Sequence, residues 1–151
     1  MTRYTYSHID VLLADPDEPI TKAKRDYQID RIKKAMDNLL HAPDPTIEDW
    51  EKLSDTVNLM ETILLMGFVE DAQGAIPEAQ EALGKCGSRS LRNQPLRLDG
   101  PAIGLLNGII EDYEMVCENL SARTMIMAHR ATEKRVQEEV LKDLIAARVA
   151  A

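Results

Sequence analysis

Four carboxylates, Glu111, Asp112, Glu114 and Glu118, lie within the eight-residue run EDYEMVCE beside Tyr113 and Cys117. Two acids one helical turn apart can bind a hard cation such as Mg²⁺ through their oxygens, or divide the work of a general acid and base. Either chemistry requires the acids to face a cavity. At about 100° per residue Glu111, Glu114 and Glu118 share one side of a helix. Leu106, Ile109, Ile110, Tyr113, Val116, Cys117 and Leu120 sweep the other side, so water is the expected surrounding of the acids.

A magnesium site of the kind used by all-α nucleoside triphosphate pyrophosphatases also needs a second acid pair on a neighbouring helix. Glu139 and Asp143 are four apart, not three, while Glu48 with Glu51 and Glu78 with Glu81 repeat the three-residue spacing as any Glu-rich helical chain does. A metal-dependent hydrolase built on Glu111 and Glu114 therefore ranks last among the readings. A di-iron bundle would need Glu three residues before His, and His8, His41 and His129 all lack it. His129 and Glu133 are spaced as a surface contact one turn apart. Cys86 and Cys117 form no Cys-x-x-Cys or zinc pattern and read as reduced thiols. The sequence predicts no catalytic residue, no metal and no cofactor.

The elements that would hold these residues are helical. Aromatic residues make up 4% of the 151 residues, and a core rich in Ala, Leu, Ile and Met suits helix packing better than sheets. The expected fold class is all-α, a bundle of about five helices with a long C-terminal helix, in one domain. The core is expected over about 21–121 and a helical extension over about 122–149. Ser7 with Asp10 and Thr46 with Asp49 have capping-box spacing. Ile29, Ile32, Met36, Leu39 and Leu40 mark one amphipathic helix, and Trp50, Leu53, Val57, Met60 and Leu64 a second, with Asp55, Asn58 and Thr62 on its polar side and Glu61 at the edge. Gly67 ends that helix. A shorter helix has Pro77 near its start and Gly84 or Gly87 near its finish. The thirteen residues SRSLRNQPLRLDG then read as the longest loop, with Leu91, Leu96 and Leu98 pinning it to the body. Asp99 caps a helix with Pro101 in its first turn. A continuous helix over 101–149 would span roughly 70 Å, so a break is expected near 119–121, or a projecting tail.

No apolar run approaches a membrane span and no signal-like stretch is seen, so a cytoplasmic protein is expected. The net charge of −8 comes from residues 44–84, where Lys52 stands against ten acids. That field opposes a phosphate backbone and suits a basic protein surface. The expected partner is a protein, not nucleic acid or membrane, with Glu48, Glu51, Asp55, Asp71 and Glu78 as the acidic contact surface. Arg89, Arg92 and Arg97 form a basic loop that either meets an acidic partner or pairs with the chain's own acids. Val136, Val140, Leu144 and Ile145 give the C-terminal helix an apolar stripe that could pair with a second copy, making a self-assembling accessory protein the alternative function.

Three stretches carry a resemblance: Trp50-x-x-Leu53-x-Asp55-x-x-Asn58-x-x-Glu61, then Ile76-Pro77-Glu78 leading into Gln80 and Leu83, then Leu98-x-Gly100. In this order, over about 47–121, they resemble a group of small helical proteins carried by proteobacterial phages, plasmids and integrated elements, a group to which no activity is attached. The chain departs from it in a longer N-terminal part, the C-terminal extension and Tyr113, where a His or polar residue is expected. The resemblance implies an interaction protein of a mobile element, binding a host or element-encoded macromolecule, for example as an inhibitor of a host system.

Overall fold

The computed structural model describes residues 4–70 and 74–150. Six helices follow in order: α1 (His8–Leu13), α2 (Lys22–His41), α3 (Ile47–Leu65), α4 (Ala75–Leu91), α5 (Gly100–Asn119) and α6 (Ala122–Ala150). There is no strand among the described residues. The short helix signalled by the Ser7 and Asp10 cap forms as α1 and brings the number among the described residues to six. Both capping boxes form. The Ser7 and Thr46 hydroxyls accept from the Asp10 and Asp49 N–H groups, and each Asp side chain accepts from its cap's own N–H. Asp99 caps α5 just before Pro101. Gly67, at φ +86, follows the end of α3 in the left-handed conformation that glycine adopts at least cost. The expected break is present, since Leu120 is extended and α6 starts anew at Ala122.

Helix α3 is the hub and packs against α2, α4, α5 and α6. Its predicted stripe is the centre of the core, with Leu53, Val57 and Met60 buried beside Leu39, Leu83, Leu106 and Ile109. Glu61 is half-buried, in keeping with its place at the edge of the stripe, but the opposite face of α3 departs from expectation: Thr62 is buried and Asn58 half-buried, because the first half of α6 lies across them. Met125, Ala128 and Thr132 are the residues α6 buries. Beyond Gln137 every described residue of α6 is exposed.

The end of α4 is also corrected. The helix runs through both Gly84 and Gly87 to Leu91, which shortens the expected loop to residues 92–99. Gly87 is a packing residue and not a stop signal. A Cβ there would lie 3.0 Å from Cζ2 of Trp50, whose indole N–H donates to the Leu83 carbonyl at 2.8 Å and fixes the ring against the helix. Around Gly84 nothing lies within 4 Å. Replacing the exposed glycine, Gly84→Ala, should stabilise the fold by about 0.4–1 kcal/mol. Gly87→Ala should forfeit that gain and destabilise by roughly 1 kcal/mol, because the tethered indole cannot give way. Urea titration of the two variants checks the opposite signs.

Candidate functional site

The carboxylates of EDYEMVCE fall on the outer side of α5, as their spacing implies. Glu111, Asp112 and Glu118 are exposed, and Glu114 forms an ion pair with Lys33 of α2 at 2.7 Å. Among the described residues no group of three or more His, Cys, Asp or Glu side chains is placed to hold a metal ion. Cys86 and Cys117 are free and fully buried, and burial raises both thiols above their ordinary range.

Of the acidic contact residues, Glu48 and Glu51 are exposed on the first half of α3 and Glu78 on the first turn of α4. None of the three is in an ion pair with another described residue. Asp55, exposed as well and within reach of the Glu51 charge, also lines a cleft, and Asp71 lies outside the described residues. The three arginines do not act together. Arg89 belongs to α4 and donates to the Arg97 carbonyl at 2.8 Å. Arg97 reaches back across the fold to the C-terminal carbonyls of α2, at 3.4 Å from Asn38, 3.3 Å from Leu39 and closest to Ala42. Its guanidinium thus satisfies carbonyls that a helix end leaves open, at the negative end of the helix dipole. Arg92 is exposed, as is Leu91, while Leu96 is buried and Leu98 half-buried. Within the described residues it is backbone carbonyls, and not carboxylates, that Arg89 and Arg97 engage.

Residues of the spaced motif meet at the α3–α4 interface. Trp50 bonds to Leu83 as described, and the Gln80 amide donates to Asn58 Oδ1 at 3.3 Å and to Glu61 Oε2 at 2.9 Å. Glu61 also pairs with Arg135 of α6, and Arg135 Nη1 donates to Thr62 Oγ1 at 2.7 Å. The Thr62 and Thr132 hydroxyls share a bond of 2.6 Å, and Thr132 in turn donates to the Ala128 carbonyl at 2.7 Å. Apart from the Ser54 hydroxyl of α3, which is buried without a partner, these polar groups are paired, as burial requires. These residues hold helices together.

Titratable groups converge elsewhere, in a cleft of about 440 Å³ between α2, α3, α5 and α6. Arg31, Lys52, Asp55, His129 and Glu133 line it together with Gln28, Tyr113 and the aliphatic side chains of Ile32, Leu59 and Val136. The Tyr113 hydroxyl donates to Gln28 Oε1 at 3.1 Å. The segment before α1 forms part of the rim. The Thr5 N–H donates to both Glu133 oxygens, at 2.9 and 3.2 Å, and the Tyr6 ring lies 5.5 Å from that of His129. Burial lowers the Lys52 ammonium below the usual lysine range, and the nearby Arg31 lowers it further. Burial raises the Asp55 carboxyl against the opposing pull of Lys52, with Glu51 and Glu133 adding to the rise. Sequence reasoning missed this site. Lys52 and Asp55 are on one helix and His129 and Glu133 on another, so only the packing of α6 on α3 joins them.

No family model, curated protein or solved structure matches the chain. Its chemistry must therefore be read from its own residues.

Two predictions follow from these placements. Arg97→Ala should cost about 1–3 kcal/mol by leaving charge-bonded helix-end carbonyls open, while Arg92→Ala should change stability by less than about 0.5 kcal/mol; chemical denaturation of the pair checks the difference. The second concerns pH. Burial holds the His129 imidazole below its ordinary pKa of 6.5, with Glu133 opposing the shift and Lys52 adding to it. In the window from 6.5 down to the folded-state value the unfolded chain binds more protons, so stability is present above that window and falls as the pH falls through it. His129→Gln should flatten this loss in melts between about pH 7 and pH 5, and an unchanged slope would show that His129 does not contribute.

Proposed function

We propose that this chain is a non-enzymatic interaction protein whose docking element is the second half of α6 and whose first partner is a second copy of itself. The observation that supports the reading is the exposed apolar surface of that half-helix. Val136, Val140, Leu144 and Ile145, the stripe expected from the sequence, are 40%, 53%, 63% and 55% exposed, and Leu141 and Val149 extend the surface to 58% and 82%. A helix of 29 residues is about 44 Å long, and beyond Gln137 each of its described residues is exposed. Contiguous apolar area of this kind marks an interaction site more often than an idle surface.

Charge favours a like partner here. Residues 134–150 hold four basic and three acidic side chains, so the chain's whole acidic excess lies outside them. Two copies approaching through this segment escape the repulsion that the rest of their surfaces would generate. The exposed and unpaired Glu48, Glu51 and Glu78 offer a second, acidic contact region for a basic protein surface. A role as accessory protein of a mobile element, as the motif resemblance implies, is compatible with both contacts.

Light scattering coupled to size-exclusion chromatography tests the reading on the intact chain. The wild type should be dimeric or larger at high micromolar concentration. The double variant Val140→Asp/Leu144→Asp should be monomeric with an unchanged melting profile. Each of these side chains contributes on the order of 1.5–3 kcal/mol when buried, so association should weaken more than about ten-fold. A monomeric wild type would refute self-association.

A further inference from the structure

The cleft carries an inference of its own, sharing only Val136 with the docking stripe. Four of its side chains bear full charge: Arg31 from α2, Lys52 and Asp55 from α3, and Glu133 from α6. None of the four is in an ion pair with any described residue. Lys52 and Asp55 each have neighbours of both signs, and Lys52 is the charge that acts most on Asp55. Arg31 lies close enough to Lys52 to disfavour its charge, and Glu133 has the same effect on Asp55. Lys52 and Asp55, three residues apart on one helix, sense each other without closing into a pair. Lys52 and Glu133 are half-buried and Arg31 and Asp55 exposed, and with none of the four closed into an ion pair each can take up an opposite charge.

We propose that this cleft binds a small zwitterion of amino-acid or dipeptide size, its carboxylate between Arg31 and Lys52 and its ammonium between Asp55 and Glu133. The pattern selects against simpler ligands. A phosphate or dicarboxylate drawn to the cations would confront the two acids, and a polyamine drawn to the acids would confront Arg31 and Lys52. The volume of about 440 Å³ lies within the range of small-molecule pockets. Ile32, Leu59 and Val136 supply an apolar wall for the ligand's side chain, while Tyr113 and Gln28 present a phenol and an amide. Glu133 is already oriented for this task, because the Thr5 N–H binds both its oxygens. The planar guanidinium of Arg31 suits a carboxylate in two-pronged fashion.

Calorimetric titration of the full chain with free amino acids and unblocked dipeptides, each compared with its N-acetyl and its C-terminal amide form, tests the proposal. At least one unblocked probe should bind, and blocking either end should weaken it at least ten-fold. Asp55→Asn should weaken the unblocked probe and erase most of the penalty for N-acetylation. Lys52→Met should do the same for amidation, with circular-dichroism melts confirming that both variants fold. Binding by none of the unblocked probes at millimolar concentration would overturn the proposal. So would equal binding of the blocked and unblocked forms to the wild type, a comparison that needs no variant.

Discussion

The arrangement of the bundle depends on α6 covering the polar side of α3. A helix with one apolar stripe ordinarily turns its other side to water, yet α3 has neighbours on both sides. The cover is possible because the polar groups find partners within it. Thr62 meets Thr132, Glu61 meets Arg135, and Gln80 of α4 completes the bonds of Glu61 and Asn58. Removing one member would strand the rest in a setting where an unpaired polar group costs more than its bond contributed. Such a seam specifies how α6 lies, since sliding the helix by one residue would set hydroxyl against methyl and charge against nothing. An apolar contact of equal area would tolerate that slip.

What could be read from the sequence was local. Capping boxes at Ser7 and Thr46, the Asp99–Pro101 start and the glycine after α3 depend on neighbours three or four positions away, and all of them form. The apolar stripes of α2, α3 and α5 were legible for the same reason. Gly87 was not, because its cause is the indole of Trp50, thirty-seven positions earlier in the chain. A glycine that admits a ring and a glycine that ends a helix are the same letter. Thr62 and Asn58 looked like solvent-facing residues for a similar reason, because their partners lie on α4 and α6.

The cleft shows the same division more sharply. Lys52, Asp55, His129 and Glu133 each have an unremarkable setting in sequence, and the acidic excess of residues 44–84 suggested that Asp55 belonged with Glu48 and Glu51 on one surface. All three are exposed on α3, and Asp55 in addition lines the cleft that α6 completes. Acid runs such as EDYEMVCE draw the eye because the side chains are adjacent in the chain, yet on α5 they lie outside the body, with Glu114 tied to Lys33. The cleft groups whose protonation the fold perturbs, Lys52, Asp55, Tyr113 and His129, came together from three helices.

The tie between the chain's opening segment and its last helix has a consequence for the order of assembly. Arg123 binds the carbonyls of Val11 and Leu12, the Ala122 and Arg123 N–H groups bond to Glu18 and Asp15, and Thr5 meets Glu133. These contacts join residues more than one hundred positions apart, and α1 has its main packing partner in α6. During synthesis the residues made first must therefore wait, unpaired, until α6 has emerged, although α2 to α5 can pack on one another before then. Contacts of such long sequence separation form late because their loop closure is costly. The rim of the cleft is in this sense a latch, closed only once the helix that completes the charge pattern has docked.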